Sequence, residues 1–349
     1  MLKVFVDINK INKEWNKINL PYFLNFNFLQ IFYQAHPKIS HIFAIDSGMR
    51  LYGHIFKLKF TKAKNYLSDK SILNIILSII NFNVLYLTNS FITNVPSFIS
   101  NESINLRKLL KNIKQNYSIV VIPDFLFDKL IVEDNSYIRI EVEEEMILNI
   151  NSEWDTLSDY IKDLKKKYRN KVKKIMKQTN EIELRKLAEA DLEKHEIKIK
   201  KLFNQVAKSS QFSGPRFNTE SYIPFVKQKF MKIDGYFMND KLVGFSSIIE
   251  KEEELFSYFV GFDKILNKSV PIYGRILIEN IKCAIQGGKK LLILGRTANE
   301  YKSNFGALPI KSYVYLKIKN TFLRTVLNPV FSKIKIKKWK QRRPFKINA

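Results

Sequence analysis

At 349 residues the chain is longer than most single hydrophobic cores and suits two domains of ordinary size. Apolar residues make up 46% of it, with only 11 Gly and 10 Pro, which excludes collagenous and broadly disordered classes. Fifty-nine Lys and Arg against 33 Asp and Glu leave a formal charge of +26, and such a field favours phosphates, nucleic acid or an anionic membrane surface as partners.

One cysteine, Cys283, excludes an intrachain disulfide framework and a Cys-rich zinc site, and fits a reducing cytoplasm. The four histidines, His36, His41, His54 and His195, show no metal-ligand spacing. The opening "MLKVFVDINK" has no charged segment ahead of a long apolar run, so it does not read as a signal peptide. A helix is expected near 26–35, then "HIFAIDSGMRLYGHIFKLKF" as two strands folded at Asp46-Ser47-Gly48. Residues 71–101 are uncharged and long enough to cross a bilayer, but Asn74, Asn81, Asn83, Asn89, Asn94 and Pro96 interrupt them. A buried helix near 69–80 followed by a strand near 84–88 fits better. Next come a helix near 103–115, the strand "SIVVIPDF" and the extended run "YIRIEVEEEMILNI".

The second half repeats this order. "GYFMNDKLVGFSSIIE" turns at Asn239-Asp240, and Gly244 follows that turn much as Gly53 follows the first one. Two related domains are expected, 1–150 and 151–320, with a basic tail over 321–349. The strand "ELFSYFVGF", a helix over 272–286 stopped by Gly287-Gly288, the strand "KLLILG", the polar loop "RTANEYKSNFGALP" and a last strand "SYVYLKIKN" complete the second domain.

Two segments concentrate the charge. "TLSDYIKDLKKKYRNKVKKIMKQ" has one apolar stripe of helical period, and its other face carries nine Lys and Arg with only Asp159 and Asp163. That face is either a solvated surface or a wall for phosphates, with Tyr168, Arg169 and Lys173 as substrate contacts. From Lys317 to Lys346 there are eleven Lys and Arg and no acid, interleaved with Phe322, Leu327, Phe331 and Trp339. Such a segment suits an anionic membrane surface, and RNA would be served by the same residues.

"LKKKYRNKVKK", "GYFMNDKLVGF", "YFVGFD", "YGRILIENIKCAIQGGKKLLILGR" and "YKSNFGA" together resemble GNAT-type acyltransferases, most closely the Fem-type and peptidoglycan-biosynthesis acetyltransferase-like proteins. The resemblance covers about residues 155–320. It implies an α+β fold of two GNAT-like domains in tandem, each a mixed, mainly antiparallel sheet flanked by helices, and transfer of an acyl or aminoacyl group to an amine. It further implies that "LFSYFVGF" and "KLLILG" splay to hold the donor, and that Lys302 stabilises the tetrahedral intermediate. Charge relief at that oxyanion is a main requirement of acyl transfer, and an ammonium supplies it.

Around Lys302, Glu300 and Tyr258 are the further catalytic candidates, and Arg296 and Ser303 are candidates for substrate contacts. Tyr273 and Arg275, at the start of a helix, stand where anionic donor groups meet helix-terminal amides. No metal is called for. "DKILNKSVPIYGR" has only Gly274 where coenzyme A enzymes carry a glycine-rich cradle, and "KLAEADLEKHEIKIKKLFNQVAKSS" is an ordinary helix where Fem enzymes insert a helical hairpin. The donor therefore stays open among acyl-coenzyme A, acyl carrier protein and aminoacyl-tRNA. An N-acyltransferase acting on a lipid-linked or cell-wall precursor, cytoplasmic and peripheral at the inner membrane surface, is the first reading. A non-catalytic basic module for anionic membrane or RNA on a degenerate acyltransferase fold is the second.

Overall fold

The computed structural model describes residues 1–59, 81–92, 94–208, 214–332, 336 and 338–346. The helix expected near 69–80 lies outside them. In chain order the strands are β1 Lys3–Phe5, β2 Ser40–Asp46, β3 Met49–Lys59, β4 Asn81–Tyr86, β5 Phe98–Ser100, β6 Ile104–Asn105, β7 Ile119–Pro123 and β8 Leu130–Ile131. They continue with β9 Ile138–Asn149, β10 Glu183–Lys186, β11 Lys232–Met238, β12 Lys241–Glu250, β13 Glu254–Phe262, β14 Leu291–Gly295 and β15 Leu308–Ile318. The chain forms two compact units. One comprises Met1–Glu143, Gln211–Asn218 and Lys311–Lys337; the other comprises Glu144–Ser210, Thr219–Ile310 and Lys338–Ala349.

The same pairing scheme occurs in both. In the N-terminal unit β1 to β4 are antiparallel neighbours, β4 pairs in parallel with β7, and β7 pairs antiparallel with β15. In the C-terminal unit β10 to β13 are antiparallel neighbours, β13 pairs in parallel with β14, and β14 pairs antiparallel with β9. This is the expected α+β class, with a mixed, mainly antiparallel sheet in each unit. The last step is exchanged, because β9 follows β7 in the chain but pairs with β14, while β15 follows β14 but pairs with β7.

Local chemistry explains the hairpins and helix ends. β2 and β3 turn through Ser47-Gly48, and β11 and β12 through Asn239 and Asp240, whose φ of 49° and 55° are those of a two-residue turn that matches strand twist. The helix Phe26–Ala35 starts at Asn25, whose side chain accepts from the amides of Asn27 and Phe28. The helix Ile272–Gln286 stops at Gly287-Gly288, where the amides of Gly288 and Lys289 satisfy the carbonyls of Ile285 and Ala284.

The basic segment expected as one helix is two, Leu157–Asp163 and Lys166–Gln178. Leu164 and Lys165 between them are extended, with ψ of 140° and 149°. The cause is a distant segment: Leu164 bridges to Phe345, and the Lys165 amide donates to the Pro344 carbonyl at 2.8 Å.

In the N-terminal unit, three of the four histidines gather in one buried network. His54 Nδ1 accepts from the Ser90 amide at 3.1 Å, so its Nε2 carries the proton and donates to the Tyr52 hydroxyl at 2.8 Å. Tyr52 in turn donates to His41 Nδ1 at 2.7 Å, and His41 Nε2 reaches the His36 carbonyl at 3.4 Å. His36 donates from Nδ1 to the Phe32 carbonyl and accepts the Asn218 amide at Nε2. Every ring is thereby fixed as a neutral tautomer. Burial holds His36 and His41 down at about 4 and His54 well below the ordinary histidine range.

Candidate active site

β13 and β14 pair over only three residues, Glu254–Phe256 against Leu291–Ile293. Beyond them β13 continues along β12 to Phe262, while β14 continues along β9 to Gly295. The two strands thus separate towards their carboxyl ends. On the β13 side a bulge sets Tyr258 and Phe259 opposite Ser247 alone, and the Ser247 hydroxyl fills the gap. It donates to the Phe259 carbonyl at 2.8 Å and accepts its amide at 2.9 Å.

β14 leads into an unusual exit. Gly295, Thr297 and Ala298 all have left-handed backbones, at φ of 71°, 68° and 53°. For the two non-glycine residues this costs about 1–3 kcal/mol each, so other contacts must hold the loop. Lys302 supplies them from the short helix Asn299–Ser303. Its ammonium turns back to donate to the Gly295 carbonyl at 2.9 Å and the Arg296 carbonyl at 2.8 Å, and the residue is only 3% exposed.

The short helix is held from outside by residues 338–346. The Arg342 guanidinium donates to the Glu300 carboxylate, and the Arg342 amide donates to Ser303 Oγ at 3.1 Å. Gln341 Nε2 reaches the Ala307 carbonyl at 3.1 Å, the Trp339 indole donates to Glu144 at 2.8 Å, and the Lys346 amide donates to the Asp163 carbonyl at 3.0 Å. Phe345 lies against Trp154 and Tyr160, at ring distances of 5.4 and 6.0 Å. Gly306, at φ of 98°, makes room for it, since a Cβ there would stand 2.2 Å from the Phe345 ring. Residues 338–346 form a strap over the candidate loop, and the hydrogen bond from Arg342 holds the Glu300 carboxyl below the usual carboxylate range.

The other sequence candidates fall in three places. Tyr273 is stacked between Phe262 and Tyr301, 5.4 Å from each, and burial pushes its phenol up. Gly274 beside it admits the Tyr301 hydroxyl, which a Cβ would meet at 2.7 Å. Arg275 is turned into the core, donating to Glu279 at 2.6 Å and to the Thr179 carbonyl at 3.2 Å. Tyr258 is on the β13 bulge with its ring 4.3 Å from that of Phe259. On the helix Lys166–Gln178, Tyr168 packs on the core, Arg169 is half-buried and Lys173 is exposed.

The structure therefore joins Lys302, Ser303, Glu300 and the Arg296 carbonyl in one loop, and sets Arg275 apart from them. The basic helix meets that loop through Lys171, which the sequence reading did not single out: its Nζ stands 4.7 Å from the centre of the Tyr301 ring. The charges of Arg342, Lys167 and Glu300 act on Lys171. The spacing Lys167, Lys171 on one helix face was visible in the sequence, but Arg342 was not assignable to it.

No family model matches the chain, and no curated protein matches it by sequence. Solved structures do resemble it. L-PGS from Bacillus licheniformis superposes with a TM-score of 0.54 at 11% identity, covering 96% of both chains. A conserved protein of unknown function from Bacteroides thetaiotaomicron gives 0.52 at 12% identity, over 91% of this chain and 100% of its own. The C-terminal domain of an Agrobacterium fabrum protein that carries the name lysylphosphatidylglycerol synthetase gives 0.53 at 8%, over 94% and 96%. At these identities the likeness is one of fold. The chain shares the two-unit α+β fold of these proteins.

Proposed function

We propose that the protein is an N-acyltransferase that moves an acyl or aminoacyl group to an amine, the donor lying in the opening between β13 and β14. The observation that carries this reading is the placement of Lys302: a buried ammonium on the loop that leaves β14, fixed by two carbonyls where the strands have parted. An ammonium held there supports a developing oxyanion without a reorganisation step. Its two carbonyl contacts also make Lys302 the brace of a strained loop, so the residue serves position and charge together.

The acceptor is an anionic molecule, in keeping with a net charge of +26. A lipid-linked or cell-wall precursor at an anionic membrane surface fits the resemblance to the Fem-type proteins, with acyl-coenzyme A, acyl carrier protein or aminoacyl-tRNA as donor. Among the described residues no helix is long and apolar enough to cross a membrane, so any membrane contact proposed here is at the surface. The test is a transfer assay with labelled donors of these three classes against amine-bearing precursors. Label should pass to an amine with the parent chain and fall at least about 100-fold with Lys302→Met. Transfer by Lys302→Met at the parental rate removes Lys302 from the chemistry. A parent that binds but never transfers returns the protein to the class of binding modules.

A further inference from the structure

Glu300 was a catalytic candidate, yet its carboxylate is occupied by Arg342, and Lys340 also acts on it through its backbone amide and charge. Lys171 approaches over the adjacent Tyr301 ring, with Lys167 one turn before it on the same helix. Three cations, Lys171, Lys340 and Arg342, thus act at one carboxylate, and Lys167 stands beside Lys171 as a fourth positive charge. They come from two segments far apart in sequence, the basic helix and the strap. Arg342 is partly buried, with 29% of its side chain exposed, and Lys171 is half-buried.

Like charges brought together repel one another, most where they are partly desolvated as at Lys171 and Arg342, and one carboxylate leaves much of that repulsion in place. Burial first, and then the charges of Arg342 and Lys167, push the Lys171 ammonium below the ordinary lysine range. An arrangement of this kind becomes favourable when a second anion enters. Planar Arg342 offers paired donors to phosphate oxygens, and the two lysines offer point charges beside it.

We propose that Lys171, Lys340 and Arg342, arranged around Glu300 and Tyr301 with Lys167 beside Lys171, form a phosphoanion site that takes a phosphate or diphosphate ester carried by one of the reactants. Glu300 is the anchor of this site and not a proton carrier. The proposal rests on the acyltransferase reading only for the word reactant; binding itself needs no turnover.

The experiment is calorimetric titration of the full chain with inorganic pyrophosphate at fixed ionic strength. Binding should weaken at least about 10-fold in Lys171→Met and in Arg342→Gln, and stay at the parental level in Lys194→Ala, which removes one exposed charge from another helix. Equal weakening in Lys194→Ala would show a diffuse field and overturn the site, as would parental affinity in Lys171→Met. Among the described residues no hydrogen bond joins Lys171 to the strap, so that variant decides the matter even if Arg342→Gln loosens the fold. A nucleoside diphosphate and a short-chain prenyl diphosphate, titrated in parallel, tell which kind of ester is preferred. Pyrophosphate binding without any acyl transfer would leave this site standing and sink the enzyme reading; transfer with unchanged binding in Lys171→Met would do the reverse.

Discussion

Lys302 shows how much of one side chain's part can lie in backbone geometry. The sequence pattern points to it through its resemblance to an acyltransferase loop, but its bracing of the left-handed loop at Thr297 and Ala298 depends on backbone angles that no residue pattern displays. Removing the ammonium leaves two carbonyls without their charged donor, so Lys302→Met should lower stability by roughly 2–4 kcal/mol, read from denaturant unfolding. A loss of activity without that loss of stability would separate the two roles. Gly306 is the companion case. Gly306→Ala must place a Cβ into the Phe345 ring at a left-handed φ, and should cost at least about 2 kcal/mol by the same measurement. A parental midpoint in that variant would show that the strap does not press on the loop.

Elements with strong periodicity or clear turn chemistry were legible in the sequence. The helix Phe26–Ala35, both two-residue hairpins and the helix Ile272–Gln286 stand where capping, glycine and alternation put them. The short strands β1, β6, β8 and β10 carry too few residues for any pattern to register. The break at Leu164-Lys165 was hidden for another reason. Its cause is Pro344 and Phe345, about 180 residues away in sequence, and local propensity there favours an unbroken helix. Truncation after Lys337 should therefore free both the helix start and the candidate loop. Hydrogen exchange of amides in 157–178 and 299–306 is expected to rise together, while the hairpin of β11 and β12 stays protected. Exchange unchanged in either stretch would mean that the strap is not its support.

At the scale of the whole molecule, the two pairing schemes repeat, and the buried histidines of the N-terminal unit set a pH limit. His36 and His41 titrate near 4 when folded and near the ordinary 6.5 when unfolded, so between those values the unfolded chain binds more protons. Stability is full above about 6.5 and falls as pH drops towards 4. At pH 5 each should cost about 2 kcal/mol, and His54 adds in the same direction. A chain with His41→Gln should lose less stability than the parent between pH 7 and pH 5 in denaturant titrations; an equal loss would place the acid sensitivity elsewhere.

The exchange of β9 and β15 bears on how the chain is made. During synthesis the N-terminal unit emerges first, yet its strand β7 has to wait for Lys311–Ile318, which leave the ribosome only after nearly all of the second unit. Until then β7 presents an open edge. Maturation of the first half is tied to completion of the second, so a ribosome stalled between the two should hold a nascent chain that is protease-sensitive throughout, not a finished first domain.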